Sequence, residues 1–463
     1  MTARFTQPQI NGQNEAGQGV ISVAGGSSLL LVARALASAG FFIAVLLLAR
    51  GLSPDGRGSV AFITVTALVI AAVSRFGIDD ATTVFAAQQH AQRPALLANM
   101  LALAAIGAFA FGSAACSVLL FAPGIRPAGV GAVQLAILLV GSVAASLQIG
   151  ALAFLLGCGH IRTQAFITPV FPWLYASLIA LVWVIFGLSV TGAVLAWTGS
   201  QIFTAVLCIA ATLPVAGLGS PNWRLLRATA RFGVRVWARG LAVFANARID
   251  QVIMGLIASE ASLGIYAVAV NAGEIALYVP GAVATALFPI IAATEEGKRL
   301  DLTLRVARAL FLIALASIAV AALGGSPLIP VVFGHRYHAS VVPFLWLLPG
   351  ALGFSAMAVF GSALAASGSP GRASLGPTAA LVVGIALDLA LIPPYGADGA
   401  AAAATVAFLA GGTVSTVLHW RFARYRLTRL APRLSDITLI WGLVKRARQR
   451  VASANPLTEM RRT

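Results

Sequence analysis

Charge is what this 463-residue sequence has least of: only 10% of its residues are Asp, Glu, Lys or Arg, and 14 are acidic. Soluble globular domains average about 25% charged residues, so a water-exposed surface of ordinary composition is excluded. Cysteine is scarce too. Cys116, Cys158 and Cys208 are scattered in or beside apolar stretches without metal-ligand spacing, which excludes a disulfide framework and reads as small core residues. The five histidines form no HExxH pair, and no GxxxxGK[ST] loop is present, so no built-in nucleotide-hydrolysis site is expected. Alternation of apolar and polar residues is missing, which argues against an outer-membrane barrel. The first 28 residues lack the charged, apolar, small-residue order of a cleaved signal peptide.

What is present is apolar length. Hydrophobic residues make up 59% of the chain. They fall in runs of roughly 20 residues, each long enough as a helix to cross a hydrocarbon core. Backbone groups in lipid must be satisfied within the segment, so the runs are expected to be helices. Twelve spans are predicted near 29–49, 59–77, 96–121, 132–156, 166–187, 193–216, 237–258, 265–292, 306–326, 343–366, 375–393 and 400–419. The expected fold is an all-α polytopic membrane protein of about 12 transmembrane helices.

The net charge of +17 is distributed unevenly. With the N-terminus inside, the inner loops and tails hold 23 Lys and Arg residues, whereas the outer loops hold only Arg50, Arg57, Arg126 and Arg336. The positive-inside rule then places both termini in the cytoplasm. The basic excess is read as a topology signal facing anionic inner-leaflet lipid, and no nucleic-acid motif accompanies it. In WRLLRATARFGVR, Arg224, Arg227, Arg231 and Arg235 recur at spacings of three, four and four, with Leu225, Phe232 and Val236 on other faces. That pattern predicts an amphipathic helix on the inner leaflet. The tail holds one apolar patch, ITLIWGLV, too short to span and followed by KRARQR. An interfacial helix is expected there.

Outer turns repeat along the chain. GLSPDGRGSVAFITVTA, with Gly58, returns as GLIASEASLGIYAVAVNA, with Gly264, 206 residues later. GLSVTGAVLA around Gly192 returns as YGADGAAAA around Gly399, 207 residues later, and LLFAPGIR pairs with VVFGHRY. Three matches in order at nearly one spacing predict two pseudo-symmetric six-helix lobes around a central cavity. Because both halves begin inside, the repeat is parallel, an arrangement suited to alternating access. The division is a cytoplasmic tail at 1–28, an N-lobe at 29–216, an amphipathic linker at 217–236, a C-lobe at 237–420 and a basic tail at 421–463.

Ionisable residues inside the spans are few: Arg34, Arg239, Arg248, Asp250, Glu274 and Asp388, with Arg308 near an inner end. An arginine at a helix centre costs about 2.5–3.5 kcal/mol on insertion scales, so each should face a cavity or a partner. A 100° wheel puts Arg239, Asn246 and Asp250 on one face of span seven and Arg248 nearly opposite. The shared face is expected to look into the central cavity. Counting across the outer turn near Ala261 brings Arg248 and Glu274 to equal depth, which predicts an ion pair, either structural or ion-coupling. Asp250 and Glu274 are the candidate proton or sodium groups. Pro280 should kink span eight and act as a hinge. Arg34 either snorkels to the inner interface or lines the cavity mouth. Asp388 is expected to hydrogen-bond a neighbouring helix. Asp79 and Asp80 are read as caps of a following helix.

Several stretches resemble a known family. ARGLSPDGRGSVAF looks like the first outer turn of the polysaccharide-export flippases, RFGIDDATTVFAAQ resembles the segment after their second span, and LIPPYGADGAAAAT their penultimate turn. NARIDQVIMGLIASEASLGIYAVAVNAGEIALYVPGAVATALFPIIAA is similar to their seventh and eighth spans. The resemblance, from about Leu29 to about Trp420, is to the oligosaccharide (Wzx-like) branch of the multidrug/oligosaccharidyl-lipid/polysaccharide exporter superfamily. It implies a two-lobe exporter moving a polyprenyl-pyrophosphate-linked glycan from the inner to the outer leaflet of the bacterial cytoplasmic membrane. Polysaccharide polymerases and glycosyltransferases would be its partners, and it would need no cofactor beyond H+ or Na+ coupling. Arg34, Arg239, Asn246, Arg248 and Asp250 are the candidates for binding the cargo. A cation-coupled multidrug antiporter and a lipid II flippase are the alternatives within the superfamily.

Overall fold

The computed structural model describes residues 13–217 and 219–431, and among them the regular structure is helical. The first half holds α1 (Gln13–Gly51), α2 (Pro54–Ser74), α3 (Ile78–Gln88), α4 (Arg93–Phe121), α5 (Ala132–Gly157), α6 (Ile161–Ile167), α7 (Val170–Phe186) and α8 (Val190–Ala216). The second holds α9 (Trp223–Asn246), α10 (Ile249–Ile257), α11 (Glu260–Ala293), α12 (Glu296–Phe333), α13 (Val341–Leu347), α14 (Gly350–Ala366) and α15 (Pro370–Ala423). Eight helices are long and apolar enough to cross a membrane, and ten when each of two bent pairs is taken as one span.

The helix starts follow the sequence. Ser53 and Ser259, 206 residues apart, each accept a hydrogen bond from the backbone N–H of the third residue of the helix they begin, α2 and α11, at 3.2 Å. The two helices then cross. Gly58 lies against the carbonyl of Glu260, and Gly264 lies against the carbonyl of Pro54. Each contact is the other shifted by 206 residues, so the repeat read from the outer turns is a near two-fold relation in space. Only a residue without a Cβ lets the two backbones approach this closely.

α15 is two legs in one helix assignment. Gly396 breaks it at φ 54°, ψ −124°, a conformation L residues avoid. The legs run back along each other, with Gly376 against Gly411 and Gly384 against Ala407. The turn falls inside YGADG, where the sequence places it.

Several expectations are corrected. Residues 13–28, expected as polar tail, belong to α1. The stretch 217–236 is no separate linker: its helix continues as α9 into the first half of span seven. Span seven is itself broken, with a 51° bend between Gly240–Asn246 and Ile249–Ile257. Pro280 falls within α11, whose helix assignment runs through it. Asp79 and Asp80 sit in the first turn of α3 but cap nothing, for the cap is Gly77 without a side-chain bond. Asp79 instead accepts from Arg75 at 3.1 Å. The apolar patch of the tail, 437–444, lies outside the described residues.

The basic helix docks on the N-lobe. Leu225, Thr229 and Gly233 are buried at four-residue intervals, while Arg224, Arg227 and Arg231 are exposed. The Asn99 side chain holds Asn222 by both its backbone N–H (2.9 Å) and its carbonyl (3.0 Å). Further along, Phe76 packs on Trp237, whose Nε1–H donates to the Ala72 carbonyl at 3.3 Å. The side chains of Arg235 and Arg239 are outside the described residues.

Candidate functional site

The break in span seven builds the site. Arg248 occupies the junction between α9 and α10 with φ −143° and ψ −18°, outside the helical region. It therefore projects differently from a residue in a straight helix. Its Nη1 donates to Glu274 Oε1 of α11 at 2.7 Å, with the two side chains 23% and 27% exposed. The ion pair counted across the hairpin is thus present.

Three cavities meet around this pair. One, of about 690 Å³, is a gap between α1 and α11 lined by Ser38, Phe41, Phe42, Val45, Asn271 and Glu274. The second, of about 550 Å³, lies between the lobes, lined by Arg57, Thr64, Tyr175 and Trp197 from the N-lobe and by Arg248, Gln251 and Asn271 from the C-lobe. Phe41, Val45 and Asn271 border both, so the two are adjacent. The third, also about 550 Å³, is inside the C-lobe, lined by Asn246, Asp250, Tyr266, Glu274 and others.

Arg248 lines the cavity between the lobes. Asp250, expected to face it, is 8% exposed and lines the cavity inside the C-lobe. One Asp250 oxygen accepts from the Gln251 backbone N–H at 2.7 Å and the other from the Tyr266 hydroxyl. The reason is the bend: carrying 100° per residue from Arg239 across Ala247 and Arg248 assumes a helix that is interrupted there. Asn246 still shares a cavity with Asp250, and its Nδ2 donates to the Pro377 carbonyl of α15 at 2.8 Å. Arg34 is exposed on α1 and borders none of these three cavities. Asp388 is 2% exposed, and its Oδ1 has no hydrogen-bond partner among the described residues, contrary to expectation.

Arg57 was missed. The sequence placed it in an outer loop, but Ser53 as N-cap with Pro54 in the first turn starts α2 early enough to carry it inside. That pairing of Ser and Pro was the available signal. Arg57 is 5% exposed, and its Nε has no hydrogen-bond partner among the described residues. Tyr175 lines the same cavity wall. Gln251 and Asn271 were also missed, since amides in apolar helices leave no spacing pattern. Together, Arg57, Arg248, Gln251 and Asn271 give the cavity between the lobes cationic and amide groups suited to an anion. The acids Asp250 and Asp388 belong to the C-lobe interior. Among the described residues no group of His, Cys, Asp or Glu is placed to hold a metal ion.

The sequence profile described as polysaccharide biosynthesis protein matches residues 47–342. The chain belongs to this family. Solved structures extend the comparison to the fold. An inward-facing MATE-family multidrug resistance transporter of the MOP superfamily aligns at TM-score 0.68 and 14% identity, covering 83% of this chain and 94% of that one. The lipid II flippase MurJ in its inward closed conformation aligns at 0.66 and 12% identity, covering 88% of each chain. An outward-facing MATE transporter aligns at 0.58 and 16% identity, covering 88% of this chain and 96% of that one. No curated protein matches the chain. This member of the polysaccharide biosynthesis family is thus a multi-pass membrane protein that shares its fold with the MATE and MurJ structures.

Proposed function

We propose that the protein is a flippase that moves a lipid-linked oligosaccharide, a polyprenyl-pyrophosphate glycan, from the inner to the outer leaflet for cell-surface or exopolysaccharide synthesis. Its place is then the bacterial cytoplasmic membrane, with both termini inside, as the distribution of arginines supports. One observation carries the reading. Arg57, buried and lacking a partner at Nε among the described residues, shares with Arg248 a cavity that adjoins a gap between α1 and α11. A pyrophosphate can occupy the cationic end while its apolar chain stays in the bilayer beyond Phe41 and Phe42. A buried guanidinium nitrogen without a partner is costly, and an anionic cargo supplies an acceptor for it.

Asp250 and Glu274 remain the candidates for H+ or Na+ coupling, since both border the C-lobe cavity beside the cargo site. The exposed Arg224, Arg227 and Arg231 contact anionic inner-leaflet lipid, and a polymerase and glycosyltransferases act on either side of the transport step. The buried acids of the C-lobe favour a second reading, a cation-coupled multidrug antiporter. Lipid II is a further candidate cargo.

Deletion of the gene separates these readings. The expected result is accumulation of a pyrophosphate-linked saccharide on the inner leaflet and loss of surface polysaccharide, measured by lipid extraction and mass spectrometry. Increased sensitivity to cationic drugs without that accumulation would overturn the glycolipid assignment in favour of the antiporter.

A further inference from the structure

The lobes meet most intimately at the end that carries the α1–α2 and α10–α11 turns, the outer end on the arginine topology. There the backbones of α2 and α11 touch through Gly58 and Gly264, and Val60 and Ile63 of α2 share one buried core with Leu263 and Ala267 of α11. Around this point one carboxylate joins the lobes. Glu260 Oε2 accepts from the Ser59 hydroxyl at 2.8 Å, and Oε1 accepts from the Gly129 backbone N–H at 2.5 Å. Ser59 belongs to α2, whereas Gly129 belongs to the loop between α4 and α5, so Glu260 holds two separate parts of the N-lobe. Elsewhere at this end the Tyr337 hydroxyl donates to the Leu52 carbonyl at 3.2 Å, and Arg50 donates to the carbonyls of Val332 (2.8 Å) and Val331 (2.5 Å).

We propose that Glu260 is the release point of an outer latch: its two bonds hold the lobes together while the protein is closed to the outside, and their loss lets α2 and α11 separate. Three features fit this role. Ser53 and Ser259 are repeat-equivalent caps, so the repeat counterpart of Glu260 is Pro54, which has no carboxylate, and the latch is therefore one-sided. The glycine crossing brings the two backbones together beside Glu260, so the carboxylate sits at the seam that has to part. Hydrogen bonds to a carboxylate are stronger than neutral ones, yet water at the outer end can replace both donors when the latch opens. Arg57, the cavity arginine, precedes the latch residues Gly58 and Ser59 directly in α2, so cargo bound at Arg57 lies one residue from the crossing.

The latch is tested independently of what is transported. Cys116, Cys158 and Cys208 are replaced by alanine, and Thr64, on the wall of the cavity between the lobes, is replaced by cysteine. A membrane-impermeant maleimide is then applied from the side carrying the α1–α2 turn. The latch predicts slow labelling in this background, about tenfold faster labelling with Glu260→Ala, and a smaller increase with Ser59→Ala. Glu295→Ala, which removes only the surface pair with Lys298, should leave the rate unchanged. Equal labelling of the background, Glu260→Ala and Ser59→Ala would overturn the latch. If Glu260→Ala does not fold, Glu260→Gln and Ser59→Ala decide the question by the same comparison. The readout is conformational, so it stands whether the cargo is a glycolipid or a drug, and the gene-deletion result alone decides the cargo.

Discussion

Replacing Arg57 with leucine is expected to cut flipping about 10- to 100-fold at low cargo while leaving the protein folded and more heat-stable. Its Nε has no hydrogen-bond partner among the described residues, and the side chain is 5% exposed. An uncompensated buried charge costs several kcal/mol, so an apolar side chain of similar bulk removes a penalty from the empty state. With cargo bound, the same change removes charge-assisted hydrogen bonds worth about 1.5–3 kcal/mol each, a loss of roughly 10- to 100-fold in transport at low cargo. Arg57→Lys should fall between, because lysine keeps the charge but loses the guanidinium fork that matches phosphate oxygens. Thermal unfolding in detergent and complementation of surface polysaccharide read the two sides. A variant that loses stability in step with transport would mean that Arg57 holds the fold rather than the cargo.

The second large effect concerns Arg248 and Glu274, and it is best read as a double-mutant cycle. Either single change, Arg248→Met or Glu274→Gln, leaves the other group without its counter-charge within the membrane region. Fully buried pairs lose about 3–5 kcal/mol when broken this way. This pair is 23% and 27% exposed, so a smaller penalty of roughly 1–3 kcal/mol is expected for each single variant. Arg248→Met with Glu274→Met should recover most of the stability, because two apolar groups again match their surroundings. Transport should not recover, since Arg248 also lines the cavity between the lobes. A stable double variant that still transports would reduce the pair to a device that sets helix register.

Much of this architecture was legible in the sequence because lipid imposes simple rules. Apolar run length marked the helices, and the repeated outer turns carried the two-fold relation that Gly58 and Gly264 realise by lying against each other's helices. Counting outward from the turn near Ala261 also found the Arg248–Glu274 pair, since that count depends on depth rather than on helical phase. What failed was phase. The wheel assumed a straight span seven, and the 51° bend at Ala247–Arg248 turned Asp250 into the C-lobe and left Arg248 between the lobes. No proline or glycine marks that bend, so composition could not reveal it. Arg57 was lost for a different reason: a positive charge beside a Ser-Pro-Asp-Gly turn reads as loop until the Ser53 cap is taken as the start of the helix. Glu260 looked like one more residue of an outer turn, because its partners Ser59 and Gly129 are distant in sequence.

The central claim is that the cationic cavity recognises a pyrophosphate carried on a lipid chain. Reconstitution into liposomes with a short-chain polyprenyl-pyrophosphate saccharide, a neutral glycolipid of the same sugar and a cationic dye tests it most directly. The account predicts protein-dependent flipping of the pyrophosphate lipid, a reduction of that flipping with Arg57→Leu, and little movement of the other two. Equal flipping of the neutral glycolipid, or export of the dye with the pyrophosphate lipid left in place, would contradict it.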